Sequence, residues 1–255
     1  MRAEDALPRL RALGFAEPDA RALADHFLDA ERSGRFGHGL SRIEWLETLD
    51  GIDPKASPRL ELSELGYERW SGGGALGYLV LAAVVEAQLA RPPERARLVV
   101  CSDTFPTGAL GYWARRLAAG GLVAALTATS PRRLGHPEGG PKLTGTNPLA
   151  LALPSSDGRP LVADVSMGRV THGDVIRGAA APEELVPFGG DRAHKAFALA
   201  VGLQLFVDSL AGPEHGAVLL VAQPEHDPVP AFRKLAEGVR LPGDGSGGAA
   251  SESEG

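Results

Sequence analysis

The sequence predicts an α/β fold, on three observations. Short apolar runs of strand length recur, each bounded by turn residues; stretches of helical spacing separate them; and two of the runs bracket a Ser155-Ser-Asp-Gly158 turn, the pattern of a hairpin. Residues 3–33 read as helical. Pro18 suits a first helical turn, Ala20, Leu23, Ala24, Phe27 and Ala30 fall at helical spacing, and Gly34 is a stop. A second helical stretch runs from Ile43 to Leu49, Asp50-Gly-Ile-Asp-Pro54 is a turn, and residues 55–70 are mixed, with room for a short strand. Strands are expected at 97–101, 122–129, 149–153, 161–165 and 217–222, and helices at 78–89, 109–119, 195–210 and 230–239. In the 195–210 helix, Leu199, Leu203, Phe206 and Leu210 make one face, and Gly212-Pro213 ends it.

Composition narrows the function classes. With 255 residues, 44% hydrophobic and 23% charged, the chain has ordinary core-forming composition. A formal charge of −6 argues against nucleic acid or an acidic membrane as the main partner, because both call for a basic face. No apolar run reaches membrane-spanning length, and the start, Met-Arg-Ala-Glu-Asp, lacks the features of a signal peptide. Cys101 is the lone cysteine, which points to a reducing compartment and a cytoplasmic protein. The histidines show no metal-ligand spacing, so no metal is expected.

Two glycine-rich segments invite a ligand. Gly72, Gly74 and Gly77 form a G-x-G-x-x-G, but the segment before it, Glu64–Trp70, is polar and without alternation, so a Rossmann dinucleotide site is rejected in favour of a glycine-rich helix start. The second, Leu134–Pro148, is a polar loop between two apolar runs. Gly139, Gly140 and Gly145 would let backbone N–H groups approach a ligand, and Thr146 and Asn147 add a hydroxyl and an amide at its exit. It reads as part of a nucleotide-binding cradle or as a structural crossover loop.

Several segments, in this order, resemble the malate/L-lactate dehydrogenase family of non-Rossmann NAD(P)-dependent enzymes. Gly37-His-Gly-Leu-Ser-Arg42 is similar to that family's Ser-His-Gly-Val-x-Arg, and Gly145-Thr-Asn-Pro148 matches its Gly-Thr-Asn-Pro. Pro160-Leu-Val-Ala-Asp164, Pro187-Phe-Gly-Gly190 and His194-Lys-Ala-Phe-Ala-Leu199 are similar to three further motifs. Departures accompany the matches. Thr104 stands where the family's loop histidine is expected, Ser166-Met-Gly168 replaces Ala-Thr-Ser, and the segment between 168 and 187 is short. A threonine hydroxyl cannot titrate near neutral pH and is no general acid by itself.

The resemblance implies a mixed-sheet NAD(P)-binding domain over 69–242, a helical N-terminal part over 1–68 that packs with the 195–211 helix, and a homodimer; the segment over 243–255 has nothing to bury and is expected to be a disordered tail. It implies an oxidoreductase that moves hydride between NAD or NADP and a small 2-oxo acid, 2-hydroxy acid or cyclic imine acid. The alternative is a degenerate, non-catalytic member that binds a cofactor or a partner protein. Arg42 would grip the substrate carboxylate, and His38 would hydrogen-bond or protonate the reacting atom. Thr104, with Asp103, forms a rebuilt acid site or a plain turn. The cofactor residues would be Thr129, Gly139, Gly140, Gly145, Thr146, Asn147, Asp164, His194 and Lys195; Asp164 alternatively caps a turn.

Overall fold

Helical spacing at the start of the chain becomes two helices rather than one. In the computed structural model, which describes residues 1–244, α1 (Ala6–Ala12) and α2 (Glu17–Arg32) are separated by a bend at Gly14, whose φ of +96° favours glycine. The face of α2 formed by Ala20, Leu23, Ala24, Phe27 and Ala30 is buried as its spacing requires. A short 3-10 turn (Phe36–His38) and α3 (Ser41–Glu47) follow. The strands and helices then run β1 (Arg59–Glu64), β2 (Tyr67–Ser71), α4 (Gly77–Ala90), β3 (Ala96–Ser102), α5 (Leu110–Ala119), β4 (Val123–Ala128), β5 (Leu134–Gly135), β6 (Lys142–Thr144), β7 (Leu149–Leu153), β8 (Leu161–Val165), α6 (His172–Ile176), α7 (Ala193–Ala211), β9 (Ala217–Ala222) and α8 (Val229–Leu235).

Seven strands form one mixed sheet in the order β1-β2-β3-β9-β4-β7-β8, while β5 and β6 form a small separate ladder. β2 and β3 run parallel through the α4 crossover; the other neighbours are antiparallel. The expected hairpin pairs β7 with β8.

The central strands are apolar on both faces, so both must be covered. On one face Val99, Cys101, Leu126 and Leu219 pack with Leu81 and Val84 of α4, Leu110 and Leu117 of α5 and, beyond them, Leu23 and Phe27 of α2. On the other, Val100 and Val218 pack with Val207 and Ala211 of α7. Helix α7 therefore lies across the sheet from the N-terminal helices, not against them as expected, because neighbouring residues of a strand point to opposite faces. The expected boundary at residue 68 falls inside β2, whose hairpin with β1 extends the same sheet. Of the expected tail, Gly243 and Asp244 are described, and the Leu241 N–H donates to the Asp244 carboxylate (3.0 Å); residues 245–255 lie outside the described residues.

Candidate active site

β3 and β4 both run antiparallel to β9, and β8 runs antiparallel to β7, which is antiparallel to β4. The ends of β3, β4 and β8 and the start of β7 therefore gather at one edge of the sheet. There the 105–110 loop, Thr129, Ser130, Thr146, Pro148, Asp164 and Ser166 meet the 3-10 turn at Phe36–His38, Arg42 of α3 and the start of α6 around a cleft of about 350 Å³. A second hollow of about 380 Å³ continues along residues 164–174 and shares Asp164, Ser166, Thr171 and Asp174 with the first.

One wall is cationic. Arg42 is buried; its Nε donates to the Gly37 carbonyl (2.8 Å), and its guanidinium lies 5.0 Å from the Trp45 ring centroid. Gly173 lets α6 close over it, since a Cβ there would lie 2.7 Å from Arg42 Nη2. Among the described residues, neither Arg42 nor Arg133 has a carboxylate within ion-pair distance. The two acids of the cleft are already engaged. Asp164 accepts from the Gly111 N–H (2.9 Å) and pairs with Arg35, and Asp174 pairs with Arg177 (3.3 Å) and caps α6 with Thr171. The cleft thus holds two uncompensated guanidinium charges. Its histidines are neutral: burial and then Arg42 push His38 down to about 3, and burial, then Arg133 and Arg42, push His172 down to about 4. The Nδ1 atom of His38 is buried without a partner.

The other wall is packed and carries no formal charge. Tyr78, on the first turn of α4, is buried against His26 and Phe27, with ring centroids 5.0 and 5.2 Å away. The Ala109 N–H donates to His26 Nε2 (3.1 Å), which ties the 105–110 loop to α2. Gly108, at φ +71°, is the point of closest approach, where a Cβ would overlap both the His26 and the Tyr78 ring.

His38 and Arg42 meet in the cleft, His38 from the 3-10 turn and Arg42 from α3. Gly39, at ψ −148°, separates the 3-10 turn from α3. Thr129, Thr146 and Asp164 also line the cleft. Thr104 does not. It is fully buried, its N–H donates to the His215 carbonyl (2.8 Å) and its hydroxyl to the Ser102 carbonyl (3.0 Å), so the acid site suggested there is absent and the loop turns residues 105–110 inward instead. Asp103 likewise serves the turn, accepting from the Gly74 N–H (2.6 Å).

The amide cradle expected over 139–147 narrows to its tip. The Gly145 N–H donates to Gln204 Oε1 (3.4 Å) and the Thr146 N–H to Ser130 Oγ (3.2 Å), while the Asn147 amide is buried and donates to the Ala200 carbonyl and to Gln204 Oε1 (both 3.0 Å). Gly139 and Gly140, at φ +112° and +109°, stay exposed, with open space where a side chain would stand. His194 and Lys195 are exposed at the start of α7, against which the 134–142 segment leans through the His136 and Phe197 rings, 5.2 Å apart.

Sequence reasoning passed over Tyr78, Arg133 and His172 as site residues. The signal for Arg133 was present, an Arg132-Arg133 pair in the turn that follows an apolar strand; Tyr78 reads as one more core aromatic.

The sequence pattern described as malate/L-lactate dehydrogenase matches residues 6–185. The chain is 29% identical over 229 residues to the Delta(1)-pyrroline-2-carboxylate/Delta(1)-piperideine-2-carboxylate reductase of Pseudomonas putida, covering 78% of this chain and 66% of that one. It is 31% identical over 184 residues to the (2R)-3-sulfolactate dehydrogenase (NADP(+)) of Chromohalobacter salexigens, covering 71% and 55%. It therefore spans little more than half to about two thirds of the length of these relatives. The fold agrees with that of delta1-piperideine-2-carboxylate reductase from Pseudomonas syringae (TM-score 0.81, 23% identity, 95% of this chain and 89% of that one). The match over residues 6–185, on a mixed sheet with its cleft at this edge, places the chain in the malate/L-lactate dehydrogenase family.

Proposed function

We propose that the chain is an NAD(P)H-dependent oxidoreductase of a small 2-oxo acid, 2-hydroxy acid or cyclic imine acid. The observation that carries this reading is the buried, carboxylate-free Arg42 beside a neutral His38 in an open cleft. A buried guanidinium without a counter-ion is costly unless a ligand supplies one. A substrate carboxylate answers Arg42 with two parallel hydrogen bonds. Neutral His38 then hydrogen-bonds the C2 substituent and fixes which face of the carbon is presented.

The residues present fit an anionic dinucleotide. The hollow along 164–174 lengthens the cleft, and the exposed Gly139-Gly140 tip with His194 and Lys195 offers amides and cations beyond it. A bound reduced nicotinamide supplies the hydride. The protein residues hold the acid by its carboxylate, exclude water with Trp45, Phe105 and Pro106, and manage the proton. A cyclic imine acid that arrives protonated needs the least help.

The same proposal includes a cytoplasmic homodimer. Leu199, Leu205 and Phe206 of α7 are 54%, 62% and 47% exposed along one helix face, an apolar stripe that a second copy would cover. No helix among the described residues is long and apolar enough to cross a membrane.

The degenerate reading draws on one observation, the absence of any imidazole in the inward-facing 105–110 loop. Incubating the purified chain with NADH or NADPH and a panel of 2-oxo and cyclic imine acids decides between the two. Loss of reduced-nicotinamide absorbance with at least one acid is expected. Cofactor binding without turnover of any acid would favour the degenerate member, and neither binding nor turnover would overturn both.

A further inference from the structure

We infer that Tyr78 is the proton donor when a 2-oxo acid is reduced in this cleft, an inference that rests on the oxidoreductase reading above. Its ring is held by three neighbours. His26 and Phe27 pack edge-on at 5.0 and 5.2 Å, and Gly108 touches it with no Cβ between. Only 1% of the residue is exposed, and its hydroxyl has no hydrogen-bond partner among the described residues, yet Tyr78 lines the cleft. A buried tyrosine hydroxyl ordinarily finds a partner. Here the partner left to it is whatever occupies the cleft.

Elimination points the same way. Of the side chains lining the cleft, Asp164 and Asp174 are already engaged with Arg35 and Arg177, and guanidinium, serine and threonine groups are by their chemistry too weakly acidic to serve as donors. Burial, and after it the neighbouring guanidiniums, holds His38 and His172 neutral, so neither has a spare proton near neutral pH. The Tyr78 phenol keeps its proton through the neutral range, because burial raises it above its ordinary value. The positive charge of Arg42 opposes that rise and stabilises the phenolate that donation leaves.

The step balances as follows. The C2 carbonyl carbon gains a hydride from the reduced nicotinamide, which becomes oxidised, and the C=O π pair moves onto oxygen. That oxygen forms its O–H bond with the phenolic proton as the Tyr78 O–H bond breaks. Water reprotonates the phenolate after the hydroxy acid leaves.

The test is Tyr78→Phe in the full chain, which fills the same space. Its kcat for 2-oxo acid reduction should fall at least about 100-fold, the usual worth of a positioned general acid. KM should change little, and NADPH affinity, read by fluorescence titration, and the melting temperature should match the parent. Parent kcat should be level across neutral pH and fall only in strong alkali, and ultraviolet difference spectra should show a phenolate band whose midpoint moves when oxamate is added; Tyr78→Phe should lack that band. His38→Asn should keep the alkaline fall. An active parent with an equally fast Tyr78→Phe, or an alkaline fall that disappears in His38→Asn instead, would overturn the assignment of Tyr78 alone. A parent inactive with every acid would overturn the oxidoreductase reading, and this one with it.

Discussion

One wall of the cleft, built by Arg35–Arg42, Arg133 and Thr171–Arg177, carries four guanidiniums but only Asp174 within it and Asp164 beside it. The other, built by Tyr78 and residues 105–110, carries no formal charge and is packed so closely that glycine alone fits at 108. The contrast separates two tasks. Unpaired charge suits the first wall to anions, and burial together with that charge deprives its histidines of protons. Tight packing makes the second a fixed frame for one hydroxyl. Changes to the first wall should therefore act on the affinity for acids, and changes to the second on the chemical step or on folding.

The largest expected effect lies on the charged wall. Arg42→Met keeps the bulk but removes the carboxylate's partner, and kcat/KM should fall about 1000-fold, roughly 4 kcal/mol, with NADPH binding retained. Steady-state kinetics with a fluorescence titration checks both halves; a change confined to kcat would erase the contrast between the walls. Next is the packed wall. Gly108→Ala combines a left-handed backbone with overlap onto His26 and Tyr78, and should cost about 3 kcal/mol in urea unfolding.

His26, behind that wall, gives a smaller effect with a defined sign. Burial lowers its pKa from 6.5 to about 3. The unfolded chain then binds the proton more readily between those values, so stability is full above pH 6.5 and is lost on acidification. The loss from His26 between pH 7 and pH 5 should be about 2 kcal/mol, measured as a fall in unfolding free energy. The smallest effect returns to the first wall. Arg133→Met should weaken a doubly charged 2-oxo acid about 10-fold and leave a singly charged one unchanged, in paired KM measurements. Equal losses for both would make Arg133 a cofactor residue instead.

Much of the frame was legible because its strands are apolar on both faces. β3, β4, β7, β8 and β9 stand within a residue or so of their expected places. β2 escaped notice because an inward position holds a charge. Glu68 is buried, accepts from Trp70 Nε1 (3.1 Å) and Gln88 Nε2 (2.7 Å), and lies 3.5 Å from Arg97, which hides the alternation of Tyr67–Ser71. With β2 in place, Gly72, Gly74 and Gly77 do follow a strand and open a helix. The Rossmann site is nevertheless absent, for a reason other than the polar approach. A Cβ at Gly72 would overlap the Asp103 carbonyl, and one at Gly77 would lie 2.7 Å from the Pro106 carbonyl oxygen, so the protein's own loop fills the space a phosphate would take.

Helix α7 turns inward a different face from the one its large apolar residues suggest. Leu199 and Phe206 are exposed, whereas Ala196, Ala200, Val207 and Ala211 are buried, because small side chains let the helix lie close to the sheet. In the site, His38 and Arg42 were readable from a local motif. Tyr78 was not, since its importance depends on which aromatic a distant loop leaves facing open space.

If Arg42 waits for a carboxylate in a cleft that also receives a nicotinamide cofactor, calorimetric titration of oxamate, a non-reacting 2-oxo acid mimic, into the protein with NADPH present should show it. Saturable binding is expected to the parent chain and none to Arg42→Met under the same conditions. Equal binding to both proteins, or none to the parent, would rule that role out.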